Sequence, residues 1–158
     1  MADDINVWNE RIIAEFRANG GFVRWSDADD LAAGRPVPPR LEAFEDHHGV
    51  PMILLHHTGS RTGRERINPL LYQPVDGGFA VFATSGGSPR DPAWYRNLMT
   101  YPHTTVETGP ETVTVAARYA ERGERSRIWQ HQIAVTPAFA EFEFNAGRRI
   151  PVVVLERV

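Results

Sequence analysis

Nine consecutive residues, Thr58-Gly59-Ser60-Arg61-Thr62-Gly63-Arg64-Glu65-Arg66, set two glycines among three arginines just before Ile67-Asn68-Pro69-Leu70. Glycine frees the backbone to turn its N–H groups outward, and neighbouring outward N–H groups make a concavity that suits an anion. The guanidinium forks of Arg61, Arg64 and Arg66 match phosphate or carboxylate oxygens two at a time. Anion binding is therefore the chemistry on offer, and a polar hairpin tip with solvated arginines is the alternative. A second stretch, Ala83-Thr84-Ser85-Gly86-Gly87-Ser88-Pro89-Arg90, ends an apolar run in two glycines. A ligand can approach the backbone closely there, and the helix start that follows favours negative charge, although Asp91 opposes it. Neither stretch matches Gly-x-Gly-x-x-Gly or the Gly-x-Ser-x-Gly nucleophile elbow.

Other chemistries are excluded by absence. The chain has no cysteine, and all 17 basic residues are arginine. Thiol catalysis, cysteine-ligated zinc, Schiff-base chemistry and the phosphate-binding lysine of a P-loop all fall away. His56 and His57 are adjacent on a predicted strand and point to opposite faces, so they cannot share one metal ion. His47 and His48 diverge by about 100° if helical, and no metal site is expected.

These residues need a scaffold, and 158 residues suit one domain, 1–158, that requires no disulfide or metal staple. Residues 4–19 read as a helix with Ile5, Trp8, Ile12 and Phe16 on one face, ended by Asn19-Gly20-Gly21. Residues 22–50 read as an inserted loop region, with a short helix near 41–48, and 51–158 as the core. Strands are predicted at Met52–Thr58, Ile67–Pro74, Gly78–Thr84, Thr104–Thr108, Thr112–Tyr119 and Ile150–Leu155. The run Val152-Val153-Val154 implies burial on both faces of the last one. Asp91 and Pro92 suit the start of a helix that puts Trp94, Asn97 and Leu98 on one face. Further helices are predicted over 121–134 and from Thr136-Pro137 to Gly147, the second carrying Phe139 and Phe142 inward. Short sequential strands with few helices predict an α+β fold built on a mainly antiparallel six-stranded barrel.

With the two glycine turns in this order, the sequence resembles the deazaflavin (F420)-dependent nitroreductase family, which is similar in fold to the FMN-binding split barrels. The resemblance runs through Trp8-Asn9…Glu15-Phe16-Arg17-Ala18-Asn19-Gly20-Gly21, Thr58-Gly59…Arg61-Thr62-Gly63…Arg66…Asn68-Pro69-Leu70 and Ser85-Gly86-Gly87…Pro92-Ala93-Trp94-Tyr95…Asn97-Leu98. It closes on Arg148-Arg149-Ile150-Pro151-Val152-Val153-Val154-Leu155-Glu156. It implies a split β-barrel with an N-terminal helix and peripheral helices, binding coenzyme F420, with FMN or haem as alternatives. It implies that Arg61, Thr62, Gly63 and Arg66 face the anionic phosphate and glutamate tail. Asn68, Pro69, Thr84, Ser85, Gly86 and Gly87 would border the ring and linker, with Trp94 and Asn97 closing the site. Ser60 and Ser85 stand where the family often has basic residues. Thr136, Phe139 and Phe142 replace tyrosines that line the substrate pocket in the nitro-reducing members.

The expected function is hydride transfer between reduced deazaflavin and a small electron-poor molecule such as an enone, quinone or nitro compound. A non-catalytic F420-binding or storage protein is the alternative. Water, Thr136 and whichever of His56 and His57 faces inward are the candidate proton donors; a satisfied core histidine is the other account of the inward one. Phe139 and Phe142 are the candidate substrate pocket. Net charge −3 without a basic stripe argues against nucleic acid. An acidic start and the lack of any 18-residue apolar run argue against membrane insertion, and a cytoplasmic location is expected. A homodimer is compatible with this reading, and so is a lid or a dimer contact made by residues 22–50.

Overall fold

Alternating apolar residues build the sheet, and the structure, a computed structural model, describes residues 2–23 and 50–158. Its strands are β1 (Phe22–Val23), β2 (Val50–Thr58), β3 (Glu65–Leu71), β4 (Gln73–Val75), β5 (Gly78–Phe82), β6 (His103–Glu107), β7 (Thr112–Tyr119) and β8 (Val152–Arg157). All pairs are antiparallel, in the order β1-β2-β6-β7-β8-β5-β4, with β3 on β2. The expected count of six is corrected to eight. Phe22–Val23 adds a short strand, and the run Ile67–Pro74 breaks at Tyr72. On one side of the break Leu71 pairs with Met52, and on the other Gln73 pairs with Ala80. The two halves of one segment thus serve opposite ends of the sheet, which curls round to meet itself. Pro69 is tolerated in β3 because that strand pairs on one side only.

The helices are α1 (Ala2–Ala18), α2 (Ala93–Thr100), α3 (Arg122–Val135) and α4 (Ala138–Ala146). Three apolar layers follow from strand alternation. Ile53, Leu55, Val81, Val106, Val115, Val153 and Leu155 fill the concave interior, where Trp94, Tyr95 and Leu98 of α2 close over them. The opposite faces of β5 and β8 give Ala80, Phe82, Val152 and Val154 to a layer under Trp129 and Phe139. The consecutive valines of β8 are buried on both faces for this reason. Met52 and Leu54, on the outer face of β2, pack with Ile12 and Phe16 of α1 and with Val23. The Ile5 and Trp8 side chains, the 24–49 segment and the helix expected at 41–48 lie outside what is described.

One helix boundary differs from the sequence reading, and a second agrees with it. Asp91 was expected to cap α2, but Pro92 holds the cap position without a side-chain bond. The Asp91 carboxylate is taken instead by Arg148, at 2.8 Å. At the end of α1 the Gly21 N–H donates to the Phe16 carbonyl at 2.9 Å, closing the last turn. Gly21 has φ +102, and a Cβ there would meet the Thr108 carbonyl at 2.7 Å. The helix end and the β6–β7 turn therefore touch backbone to backbone.

Candidate functional site

The Thr58–Arg66 segment links β2 to β3. The Gly59 N–H donates to the Arg64 carbonyl at 2.8 Å and the Gly63 N–H to the Gly59 carbonyl at 2.9 Å. Gly63 has φ +69, and a Cβ there would meet nothing within 4 Å. The Arg61, Arg64 and Arg66 side chains are exposed, and among the described residues none of the three guanidiniums has a hydrogen bond or ion pair. Because directly opposite residues of an antiparallel pair share a face, Arg66 and Asn68 lie with His57 and Leu55 on the concave side.

Beneath that turn runs a connected polar chain. The Ser60 N–H donates to Asn97 Oδ1 at 2.9 Å, Asn97 Nδ2 lies 3.0 Å from His57 Nδ1, and His57 Nε2 lies 2.8 Å from Asn68 Oδ1. His57 and Asn97 are buried, and burial holds the His57 pKa below the ordinary histidine value. The hydrogen bond to Asn68 opposes that effect, and the charges of Arg66 and His56 add to it. Asn97, expected to close the site, is buried beneath the turn and ties α2 to it. Trp94 is likewise buried, packed in the concave interior beside Ala83.

The second glycine stretch forms a short left-handed turn. Ser85 (φ 45), Gly86 (φ 62) and Gly87 (φ 88) all have positive φ, and the Gly87 N–H donates to the Thr84 carbonyl at 2.9 Å. Holding Ser85 there costs about 1–2 kcal/mol, a strain that needs external support. Arg148 supplies it. Its Nε donates to the Ser88 carbonyl, its Nη2 reaches the Ala83, Thr84 and Arg90 carbonyls, and its Nη1 binds Asp91. Sequence reasoning quoted Arg148 only within a motif, because nothing local marks an arginine whose partners lie 57 to 65 residues away. At Gly86 a Cβ would meet open space, so bare backbone is presented outward.

The remaining candidates do not converge. His56 faces outward, with Nδ1 2.7 Å from Glu65 and Nε2 2.7 Å from Glu107. Arg17 of α1 binds the same Glu107, and this bond first, then His56, holds the Glu107 carboxyl below the usual carboxylate range. Thr136 is buried in the α3–α4 turn, its backbone bonded to Gln132 and Phe139. Phe139 is core, edge-on to Phe82. Only Phe142, half-buried, lies by the second turn, where a Gly87 Cβ would meet its Cα at 3.4 Å. Pro69, the strand neighbour of Asn68, is buried on the α1 side of β3. Among the described residues no cluster of ligating side chains could hold a metal ion.

Guanidiniums unpaired among the described residues stand beside open glycine backbone on a curled antiparallel sheet, a donor set that suits an anion. Residues 41–157 match the F420H(2)-dependent quinone reductase family model. An F420H(2)-dependent quinone reductase of Mycobacterium tuberculosis is 33% identical over 157 residues, 98% of this chain and 99% of its own. The solved structure of the F420-H2 dependent reductase FDR-A is 33% identical, covering 67% of this chain and 94% of that one, with a TM-score of 0.61. A domain-swapped dimer is 27% identical over 82% of this chain and 100% of its own, also with a TM-score of 0.61. The chain belongs to the F420H(2)-dependent quinone reductase family. Coenzyme F420, a ring system carrying phosphate and glutamates, fits the donor set, since three guanidiniums unpaired among the described residues flank the turn and Gly63 and Gly86 leave room for close approach.

Proposed function

We propose that this protein is an F420-dependent oxidoreductase that reduces quinone-type substrates. The observation that carries the reading is the unpaired set Arg61, Arg64 and Arg66 on a glycine turn joined through Asn97 to the concave end of the sheet. Reduced deazaflavin supplies a hydride when bound, and an electron-poor quinone is the class of acceptor the family name gives. Arg61 and Arg66, with the Thr62 and Gly63 backbone, hold the anionic tail. Asn68, Pro69 and the Thr84–Gly87 backbone border the ring and linker, the Pro69 ring lying across the strand from the concave face and acting through its backbone. Trp94 and Asn97 fix the floor, and Phe142 forms an apolar side wall while Phe139 backs it from the core.

The proton that completes quinone reduction comes from solvent in this reading. His57 has both ring nitrogens engaged, His56 faces the opposite side of β2 between two carboxylates, and Thr136 is buried in a helix turn. Counting β3 and β4 as one strand bent at Tyr72, and leaving out the two-residue β1 that pairs with β2 alone, makes a six-membered closed ring, which is the split-barrel architecture. One domain, a cytoplasmic location, and a small molecule rather than nucleic acid as partner belong to the same reading. So does a homodimer, in line with the 27%-identical dimeric relative. Among the described residues no helix is long and apolar enough to cross a membrane.

The test is anaerobic mixing of the protein with F420H2 and a panel of quinones, enones and nitroaromatics, following the return of oxidised deazaflavin absorbance. Turnover fastest with quinones is the expected result. Tight binding of F420 without turnover on any acceptor would make the protein a storage protein instead.

A further inference from the structure

His57 has no part in tail binding or in proton supply, yet it is buried with both ring nitrogens engaged. The direction of every bond around it is fixed from one end. A backbone N–H can only donate, so the Asn97 atom 2.9 Å from the Ser60 nitrogen is Oδ1. The other end of that amide, Nδ2, therefore donates to His57 Nδ1 at 3.0 Å. With Nδ1 accepting, the imidazole proton sits on Nε2 and is donated to Asn68 Oδ1 at 2.8 Å. Asn68 is left with both Nδ2 hydrogens directed away from His57. It is only half-buried, on the face it shares with Arg66, so those hydrogens are open to a ligand. Reversing the Asn68 amide would set two donors against each other in a buried position, where a hydrogen bond left unmade is costly. Charging the ring would do the same at Asn97, and burial already disfavours that charge.

We propose that His57 is a positioning residue: it locks Asn68 as a hydrogen-bond donor toward a carbonyl-type oxygen, carried by the deazaflavin ring or by the quinone. This rests on the F420-dependent reading above. A quinone oxygen gains negative charge as hydride arrives, so a locked donor there assists the reaction. On the ring, the same donor selects a carbonyl-bearing heterocycle.

The polarity is read directly by nitrogen NMR of the 15N-labelled full chain. The neutral Nε2–H tautomer of His57 is expected at pH 7. In Asn97→Asp the carboxylate still accepts from Ser60 but now faces Nδ1 with an acceptor, and the proton should appear on Nδ1. An Nδ1–H or doubly protonated ring in the parent overturns the proposal. Ligand titrations give the second arm. His57→Leu should weaken F420 binding or quinone kcat/KM by about tenfold, the scale of one hydrogen bond. His57→Gln, which offers one acceptor and one donor, should recover most of that loss. Asn68→Asp separates the two sources: a weaker F420 Kd assigns the oxygen to the ring, whereas an unchanged Kd with lower quinone kcat/KM assigns it to the substrate. Unchanged values for both in Asn68→Asp and His57→Leu overturn the proposal. A parent that shows the Nε2–H tautomer yet does not bind F420 overturns the F420 reading and the assigned role of Asn68, while the bond order around His57 stands.

Discussion

Arginine does opposite work in the two glycine turns. Around Ser85–Gly87, Arg148 is largely withdrawn from solvent and meets five acceptors within one loop. Around Gly59–Gly63, three arginines stand exposed with no partner among the described residues. Residue type is the same, so the difference lies in supply of acceptors. The left-handed turn brings carbonyls together that need a planar multi-donor cation. The first turn closes on its own Gly59 and Arg64 carbonyls without using a guanidinium. One arginine builds a loop, and in the proposed reading the others bind a ligand.

The largest effect should come from the structural side of this contrast. Arg148→Ala leaves Asp91 and several carbonyls without their partner, and should lower stability by about 3 kcal/mol, read as a clear drop in Tm. Arg148→Lys should recover only part, because one ammonium cannot span all five acceptors. If Arg148→Ala melted like the parent, the clamp would be decorative and the contrast would collapse. On the ligand side, Arg61→Ala and Arg66→Ala should leave Tm nearly unchanged while each weakens F420 binding roughly ten- to a hundredfold. Added salt should shrink that difference, since the grip is solvent-exposed. Parent-like affinity in both variants would return the turn to a solvated hairpin tip.

Acid sharpens the comparison by a smaller effect, because no arginine titrates in the accessible range. His57 and Glu107 both have folded pKa values below their ordinary ones, so each contributes stability that is complete above its unfolded value. As pH falls, the His57 contribution goes first, below the ordinary histidine range, and that of Glu107 goes next, through the carboxylate range. A Tm that declines from about pH 6.5 downward is expected, with His57→Gln removing the earlier part of the decline. A Tm flat between pH 7 and 5 would show that His57 does not matter to folding, and one flat through the carboxylate range below that would show the same of Glu107.

Local features were the legible ones. The glycine-arginine turn is written in nine consecutive residues, and α2 puts Trp94, Asn97 and Leu98 on one buried face as their spacing requires. The opposite orientations of His56 and His57 also follow from strand alternation, and the structure places them in separate environments. What the spacing could not say was which histidine faced inward, since that depends on the register with β3 and β6. Asp91 has the composition of a cap, yet an arginine 57 residues away claims it. The break at Tyr72 is equally invisible, because it arises from the sheet curling round to meet itself. The spacing puts Asn97 on the inward face of α2 but does not show its partners, which come from β2 and the turn before β3.

The place of β8 in the sheet bears on how the protein is made. It lies between β7 and β5, yet comes after every other described strand along the chain. Val153 and Leu155 complete the concave interior, and Val152 and Val154 complete the layer under α3 and α4. A nascent chain still lacking these residues has two unfinished cores, and β5 and β7 each have an open edge. Such edges invite wrong pairings between neighbouring chains. Until Val152–Arg157 clear the ribosome the sheet cannot join up, so those open edges persist through the synthesis of every other described strand.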